Sequence, residues 1–136
     1  MSLITLKDVG KIYVSEGNVS VGIRGVNLSF DKGEFVAVTG KSGSGKTTLL
    51  NILGGMDDAT EGTILIDGKD ISKLNAKERI KYRRNDIGFV FQFYNLVQNL
   101  TVEENIMLPV IMDGKKEKDY KERLDKILKI IGLEAK

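Results

Sequence analysis

The stretch that decides the fold is Gly40-Lys41-Ser42-Gly43-Ser44-Gly45-Lys46-Thr47, which matches the pattern G-x-x-x-x-G-K-[ST] at every fixed position. A chain of this length and composition would contain such a match by chance in roughly 2% of cases. The match follows an apolar run, Phe35–Val38, and opens a segment of helix-forming composition, Lys46–Leu53. A flexible Gly/Ser connection is the alternative interpretation, and the position between strand and helix disfavours it. The stretch predicts a loop that binds the phosphates of a nucleoside triphosphate.

The residue types in this loop explain how it would hold phosphate. Glycines let successive backbone N–H groups point at one anion, and the helix that follows adds its positive N-terminal end. Lys46, the first candidate catalytic residue, would place a cation on the β- and γ-phosphates, and the Thr47 hydroxyl would ligate Mg²⁺. The predicted nucleotide-binding residues of the loop are Gly40, Lys41, Ser42, Gly43, Ser44, Gly45, Lys46, Thr47 and Thr48. The loop alone leaves the chemistry open, because GTPases, nucleotide kinases, helicases and transport ATPases share it.

Composition excludes several other kinds of site. The chain has 136 residues, 41% of them hydrophobic and 29% charged, which is typical of one globular domain or part of a larger one. It has no cysteine and no histidine, so disulfides, thiolate nucleophiles and imidazole-dependent sites are excluded. A net charge of +2 gives no reason to expect a nucleic-acid partner. No apolar run approaches the roughly 20 residues that cross a bilayer, and Asp8 comes too early for a secretory signal. The absence of cysteine fits a reducing cytoplasm.

The pattern of apolar residues predicts strands together with two helices in the first two thirds of the chain, and helices alone in the last third. Strands are predicted over Leu3–Val9, Val21–Phe30, Phe35–Val38, Thr63–Ile66 and Ile87–Phe91. The runs at Phe35–Val38 and Ile87–Phe91 are continuously apolar, which is typical of strands buried on both faces. Helices are predicted over Lys46–Leu53, over Ala76–Arg84 and after a capping box at Thr101–Glu104. A last helix is predicted from apolar residues at helical spacing and ends at Gly132; these residues are Tyr120, Leu124, Ile127, Leu128 and Ile131.

Further segments resemble the nucleotide-binding domain of ATP-binding-cassette (ABC) transporters. The resemblance is carried by Lys11-Ile12-Tyr13, Gly40–Asp57, Glu61–Gly68, Arg83–Gln92, Asn95-Leu96 and Leu100–Asn105. It covers essentially the whole chain and is strongest for the subgroup that serves lipoprotein release, macrolide efflux and peptide-antibiotic export or resistance. It implies an α/β P-loop NTPase fold with an N-terminal antiparallel β layer and the beginning of a helical subdomain.

The resemblance also implies roles for residues outside the loop. Tyr13 would stack on the adenine of ATP, worth about 1–3 kcal/mol by analogy with base stacking elsewhere, whereas sequence alone equally allows a surface aromatic. Gln92 stands in the place of the family's Q-loop glutamine, whose amide would reach Mg²⁺ or the attacking water. It is therefore the second candidate catalytic and metal-binding residue. The alternative is that Gln92 is only a turn residue. Asp67 ends an apolar run, but Asp67-Gly68 is better explained as a hairpin turn, and we do not expect Asp67 to bind metal.

The implied partners are a transmembrane permease subunit or domain and, in the intact protein, a second copy of the ATP-binding domain. The protein would then lie peripherally on the cytoplasmic face of the membrane. Phe89 and Phe91 are expected in the core, and Phe93 and Tyr94 exposed toward the membrane partner.

The sequence departs from the family pattern at several positions. Lys41 and Gln98 stand where the family usually has proline, and Thr47 replaces the usual serine but keeps the hydroxyl. The chain contains no L-S-G-G-Q signature, no Asp-Glu dipeptide and no histidine for the family's switch position. We therefore expect residues 1–136 to form a partial ATP-binding domain, truncated before the signature and Walker B motifs. Residues 1–92 would form the nucleotide-binding core with its β layer, and residues 93–136 the start of the helical subdomain.

These observations predict an ATPase that drives a membrane transporter, while this chain alone would bind Mg-ATP with little or no turnover. A nucleotide-binding or assembly module that never hydrolyses ATP is the alternative. A P-loop kinase would need an acceptor site and a lid, and neither is recognisable. Because the two predicted buried strands would leave an uncovered sheet edge, we also expect non-native self-association of this chain.

Overall fold

The computed structural model describes residues 2–134, which divide into two compact units. The first unit runs to Phe89 and the second begins at Val90. The first unit holds strands β1 (Ser2–Ser15), β2 (Asn18–Asp31), β3 (Glu61–Ile66) and β4 (Lys69–Asp70), with helices α1 (Lys46–Leu53) and α2 (Ala76–Asn85) and a 3₁₀ turn at Ile71–Lys73. The second unit holds α3 (Val102–Met112), a 3₁₀ turn at Glu117–Tyr120 and α4 (Lys121–Ile130).

The four strands form one antiparallel sheet in the order β2-β1-β3-β4. Two tight hairpin turns connect its strands, Glu16-Gly17 between β1 and β2 and Asp67-Gly68 between β3 and β4. All four turn residues have positive φ, which two-residue hairpins need in order to match the right-handed twist of the strands. The predicted hairpin turn at Asp67-Gly68 is confirmed, and the first two predicted strands are confirmed as parts of longer ones.

The core of the first unit lies between the sheet and the two helices. Leu6, Val9 and Ile64 are at most 2% exposed and pack against Leu49 and Ile52 of α1. Tyr82 of α2 completes this cluster, and its hydroxyl donates to the carbonyl oxygen of Leu53 at 2.6 Å. Burial, with a smaller contribution from the carboxylate of Asp86, raises the pKa of Tyr82 to about 12.

The two segments predicted as central buried strands are not strands. Residues 34–41 and 87–91 have no regular secondary structure. Phe35 is fully exposed, Val90 is 97% exposed and Phe91 is 41% exposed, so the prediction that Phe91 lies in the core is wrong. A strand buried on both faces needs hydrogen-bonded neighbours and a covering layer on each face. Among residues 2–134, the strands that form pair with one another in the antiparallel sheet, and neither segment is part of it.

The second unit confirms most of the predicted helical features. Thr101 and Glu104 form the predicted capping box at the start of α3. Leu124 and Leu128 of α4 are buried with Met107 of α3. Ile131, predicted in the same apolar stripe, is 51% exposed because α4 ends at Ile130 and the chain leaves the helical face there. Gly132 has φ 76, the left-handed conformation predicted for the residue past a helix end.

Candidate nucleotide-binding site

Residues 40–45 form an irregular loop that leads into α1. Gly45 stands immediately before the helix with φ 97, and no side chain of residues 2–134 caps the first turn. A Cβ at Gly45 would lie 2.5 Å from the carbonyl oxygen of Gly22 on β2, so both the backbone conformation and the available space require glycine here. The uncapped helix N-terminus therefore opens directly onto the loop, an arrangement suited to an anion.

The ammonium group of Lys46 lies inside the loop. Its Nζ donates to the carbonyl oxygens of Gly40 and Lys41, both at 2.6 Å, and to Oγ of Ser44 at 3.2 Å. These contacts place a positive charge against the loop backbone, beside the helix N-terminus. An anion bound there would meet both the ammonium group and the backbone N–H groups.

The neighbouring threonines differ in their surroundings. Thr47, the predicted Mg²⁺ ligand, is exposed in the first turn of α1. Thr48, predicted to bind nucleotide, is half-buried, and its hydroxyl lies 3.2 Å from the hydroxyl of Tyr13. The structure thus connects Thr48 to Tyr13 on β1.

Tyr13 belongs to a polar cluster that sequence reasoning missed. Lys11 Nζ lies 5.4 Å from the centroid of the Tyr13 ring and 3.0 Å from Oδ1 of Asp57. The Tyr13 hydroxyl also lies 3.5 Å from Oδ2 of Asp57. Lys11 is two positions before Tyr13 on β1, and this spacing could have placed both side chains on one face. No local sequence pattern could have identified Asp57, which follows α1 in the chain and contacts Lys11 and Tyr13 only in the folded structure.

The other two residues considered as metal ligands lie elsewhere in the chain. Gln92 is exposed in an irregular part of the second unit. Asp67 is exposed in the β3–β4 turn with φ 50, in agreement with its predicted role as a turn residue. Among residues 2–134, no group of three or more His, Cys, Asp or Glu side chains could hold a metal ion.

Comparison with protein families identifies the class of protein. Residues 23–136 match the family model described as ABC transporter. The chain is 42% identical over 136 residues to a macrolide export ATP-binding/permease protein, MacB, of Neisseria gonorrhoeae, covering all of this chain and 21% of the relative. It is 39% identical over 131 residues to the lipoprotein-releasing system ATP-binding protein LolD 1 of Rhodopirellula baltica, covering 96% of this chain and 57% of the relative.

Solved structures support the same assignment. The dimeric structure of a post-hydrolysis state of the ATP-binding cassette MJ0796, bound to ADP and Pi, aligns with a TM-score of 0.84 at 40% identity. The alignment covers 93% of this chain and 56% of that one. A second dimeric structure of the same cassette aligns with a TM-score of 0.75 at 46% identity, covering 80% of this chain and 47% of that one.

The chain therefore belongs to the ABC transporter family and represents part of its ATP-binding domain, with an α/β P-loop NTPase fold and an N-terminal antiparallel β layer. It spans about a fifth of the length of its macrolide-export relative and 57% of its lipoprotein-release relative. No helix in the described part of the chain is long and apolar enough to cross a membrane.

Proposed function

We propose that the chain binds Mg-ATP through residues 40–48 and that the whole protein hydrolyses ATP to drive transport across a membrane. The observation that carries this proposal is the position of Lys46 Nζ inside the loop, 2.6 Å from two loop carbonyl oxygens and next to an uncapped helix N-terminus. On binding, the ammonium group would exchange these carbonyl oxygens for phosphate oxygens. Because phosphate carries a negative charge, the new hydrogen bonds would be charge-assisted on both sides.

The site fits Mg²⁺ as part of a nucleotide complex. Mg²⁺ keeps several waters and is usually held by one or two protein oxygens together with substrate phosphates. The Thr47 hydroxyl is one such oxygen, and Gln92 is proposed as a metal ligand from its resemblance to the family's Q-loop glutamine alone. When bound, Mg²⁺ would neutralise charge on the β- and γ-phosphates. The chain's own contribution is to position the phosphates with Lys46 and the loop amides and the base with Tyr13.

The partners are proposed from the relatives. One is a macrolide export ATP-binding/permease protein, another belongs to a lipoprotein-releasing system, and the solved cassette is dimeric. We infer that this protein works with a transmembrane permease on the cytoplasmic face of a membrane and pairs with a second ATP-binding domain. Phe93 and Tyr94, which are 76% and 91% exposed, are suited to the permease contact. Residues 1–92 would supply the nucleotide-binding core and residues 93–136 the start of the helical subdomain.

Binding is tested by titration calorimetry with Mg-ATP. Replacing Lys46 by alanine removes a charged hydrogen-bond donor from the phosphates, and we expect affinity to fall roughly 10- to 100-fold. The matched control is Lys73→Ala, which removes a lysine whose side chain is 83% exposed and lies outside the loop. Equal affinity of the unmodified chain and Lys46→Ala would contradict the proposal.

Hydrolysis separates the proposal from its alternative, a nucleotide-binding or assembly module without turnover. Phosphate release should be barely measurable for this 136-residue chain, whose sequence lacks the Asp-Glu pair expected at the family's Walker B end. Losing one well-placed catalytic group commonly lowers a rate by about 10²–10³. A form of the protein that also contains the family's signature and Walker B motifs should release phosphate rapidly and lose this activity with Lys46→Ala. Such a form that binds ATP without releasing phosphate would favour the alternative.

A further inference from the structure

We propose that Lys11 and Asp57 are positioning residues that hold the Tyr13 ring ready to stack on the base of the nucleotide. The inference rests on the proposed function, because it adds two residues to the base-binding side of the same site. Neither residue belongs to the phosphate-binding loop. Both contact Tyr13, the predicted base-binding residue.

The first step of the argument is the geometry around the ring. Lys11 Nζ lies over the ring at 5.4 Å from its centroid, within the range of a cation–π contact. The same ammonium group is 3.0 Å from Asp57, in an ion pair whose side chains are 14% and 34% exposed. The ion pair is therefore partly withdrawn from solvent, and it fixes the cation over one face of the ring.

The second step is the anchoring of the ring's edge. The Tyr13 hydroxyl contacts Thr48 on α1 at 3.2 Å and Asp57 at 3.5 Å. A Cβ at Gly22 would come within 2.8 Å of Cε2 of Tyr13, so β2 approaches the ring as closely as a glycine allows. The ring is thus held by β2, by α1 and by the residue pair Lys11–Asp57, yet Tyr13 remains 38% exposed.

The third step is the consequence for binding. A side chain already fixed in the orientation it needs loses less conformational entropy when a ligand stacks on it. The cation lies over the ring, and Tyr13 is still 38% exposed, so a base could reach it. Removing Lys11 or Asp57 should therefore weaken the interaction with the base and leave the interaction with the phosphates unchanged.

The experiment compares Mg-ATP with inorganic Mg-tripolyphosphate, which has the phosphates and no base, using calorimetry on the full 136-residue chain. Tyr13→Ala should weaken ATP binding at least about fivefold and leave tripolyphosphate binding unchanged. Lys11→Gln and Asp57→Asn should each weaken ATP binding about two- to fivefold, again without an effect on tripolyphosphate. Lys11→Arg, which keeps a cation between the ring and the carboxylate, should restore ATP binding.

The chain offers a matched control. Lys115 is 3.0 Å from Asp113 and lies 5.9 Å from the centroid of the Tyr120 ring, so it repeats the lysine, tyrosine and aspartate arrangement in the second unit. Lys115→Gln removes the same kind of contact and should leave the affinities for both ligands unchanged.

The outcomes distinguish the inference from the function on which it rests. If Lys46→Ala leaves both affinities unchanged, the proposed function is wrong. If Lys46→Ala weakens both ligands while Lys11→Gln and Asp57→Asn leave the ratio of the two affinities unchanged, the inference is wrong. Equal losses for ATP and tripolyphosphate in the Lys11 and Asp57 variants would also overturn it, because they would show general damage to the fold. Selective loss for ATP together with rescue by Lys11→Arg supports it.

Discussion

Two apolar segments of the first unit differ in strand pairing and in burial; they are Thr63–Ile66 and Phe35–Val38. Thr63–Ile66 lies in β3, paired with β1, and Ile64 is 1% exposed. Phe35–Val38 precedes the phosphate-binding loop without strand structure, and Phe35 is fully exposed. Similar side chains are therefore buried in one place, while in the other they stay between 39% and fully exposed. The difference shows that apolar character produces a buried strand only where a hydrogen-bonded neighbour and a packed layer are both available.

The largest expected effect tests this comparison directly. Ile64→Ala removes a fully buried side chain and leaves a cavity, so it should lower the free energy of unfolding by about 2–5 kcal/mol. Phe35→Ala removes a side chain that makes no buried contact and should change the same quantity by less than about 0.5 kcal/mol. Urea unfolding followed by circular dichroism measures both. Similar losses for the two variants would show that Phe35 is buried after all.

The second prediction tests whether water is excluded from the core that contains Ile64 of β3. Tyr82 belongs to that core, and its pKa is raised from 10 to about 12. A pKa raised by folding means that the neutral phenol is the form the folded state favours. The stabilisation that depends on the neutral Tyr82 hydroxyl is complete below pH 10 and is lost as the pH rises toward 12. It amounts to about 2–3 kcal/mol.

This dependence is measured by comparing unfolding of the unmodified chain and Tyr82→Phe between pH 8 and pH 12. All other titratable groups are common to both proteins and cancel in the difference. The difference in free energy of unfolding should change by about 2–3 kcal/mol across the window. Parallel pH profiles would indicate that water reaches the Tyr82 hydroxyl.

The third prediction tests whether the loop at residues 40–45 packs against β2. Gly45 and Gly68 both have positive φ, but only at Gly45 would a Cβ meet neighbouring atoms, with the carbonyl oxygen of Gly22 at 2.5 Å. Both Gly→Ala variants should lose stability from the backbone conformation. Gly45→Ala should lose about 1–3 kcal/mol more, because β2 has to move away from the loop. Equal losses, measured by thermal unfolding, would show that the loop does not rest on β2.

The smallest expected effect concerns association between copies of the chain. The predicted reason for self-association, an open edge of buried strands, is absent, yet Phe35, Val90 and Phe93 remain at least 76% exposed. Exposed apolar side chains favour association. Light scattering should therefore show oligomers at high concentration, and Phe35→Asp should reduce their fraction. A stable monomer at high concentration would contradict the prediction.

Much of the fold and site could be predicted because local rules decide it. The helix Lys46–Leu53, the capping box at Thr101 and the turn at Asp67-Gly68 depend on backbone conformation and on hydrogen bonds between residues a few positions apart. The conformation of the loop at residues 40–45 belongs to the same group, because its glycines and the helix after it are contiguous in sequence. The position of Lys46 inside the loop follows from this local arrangement.

The sequence by itself determined the class of protein, the loop and the elements whose partners are close in the chain. Only the tertiary structure decided which apolar segments are buried, as Ile64 and Phe35 show, and which distant residues meet at Tyr13. Asp57 reaches Lys11 across 46 residues, and no periodicity records such a contact. The physical reason is that burial and ion pairing depend on the surroundings that the whole fold supplies, whereas turns, caps and the loop are determined by neighbours along the chain.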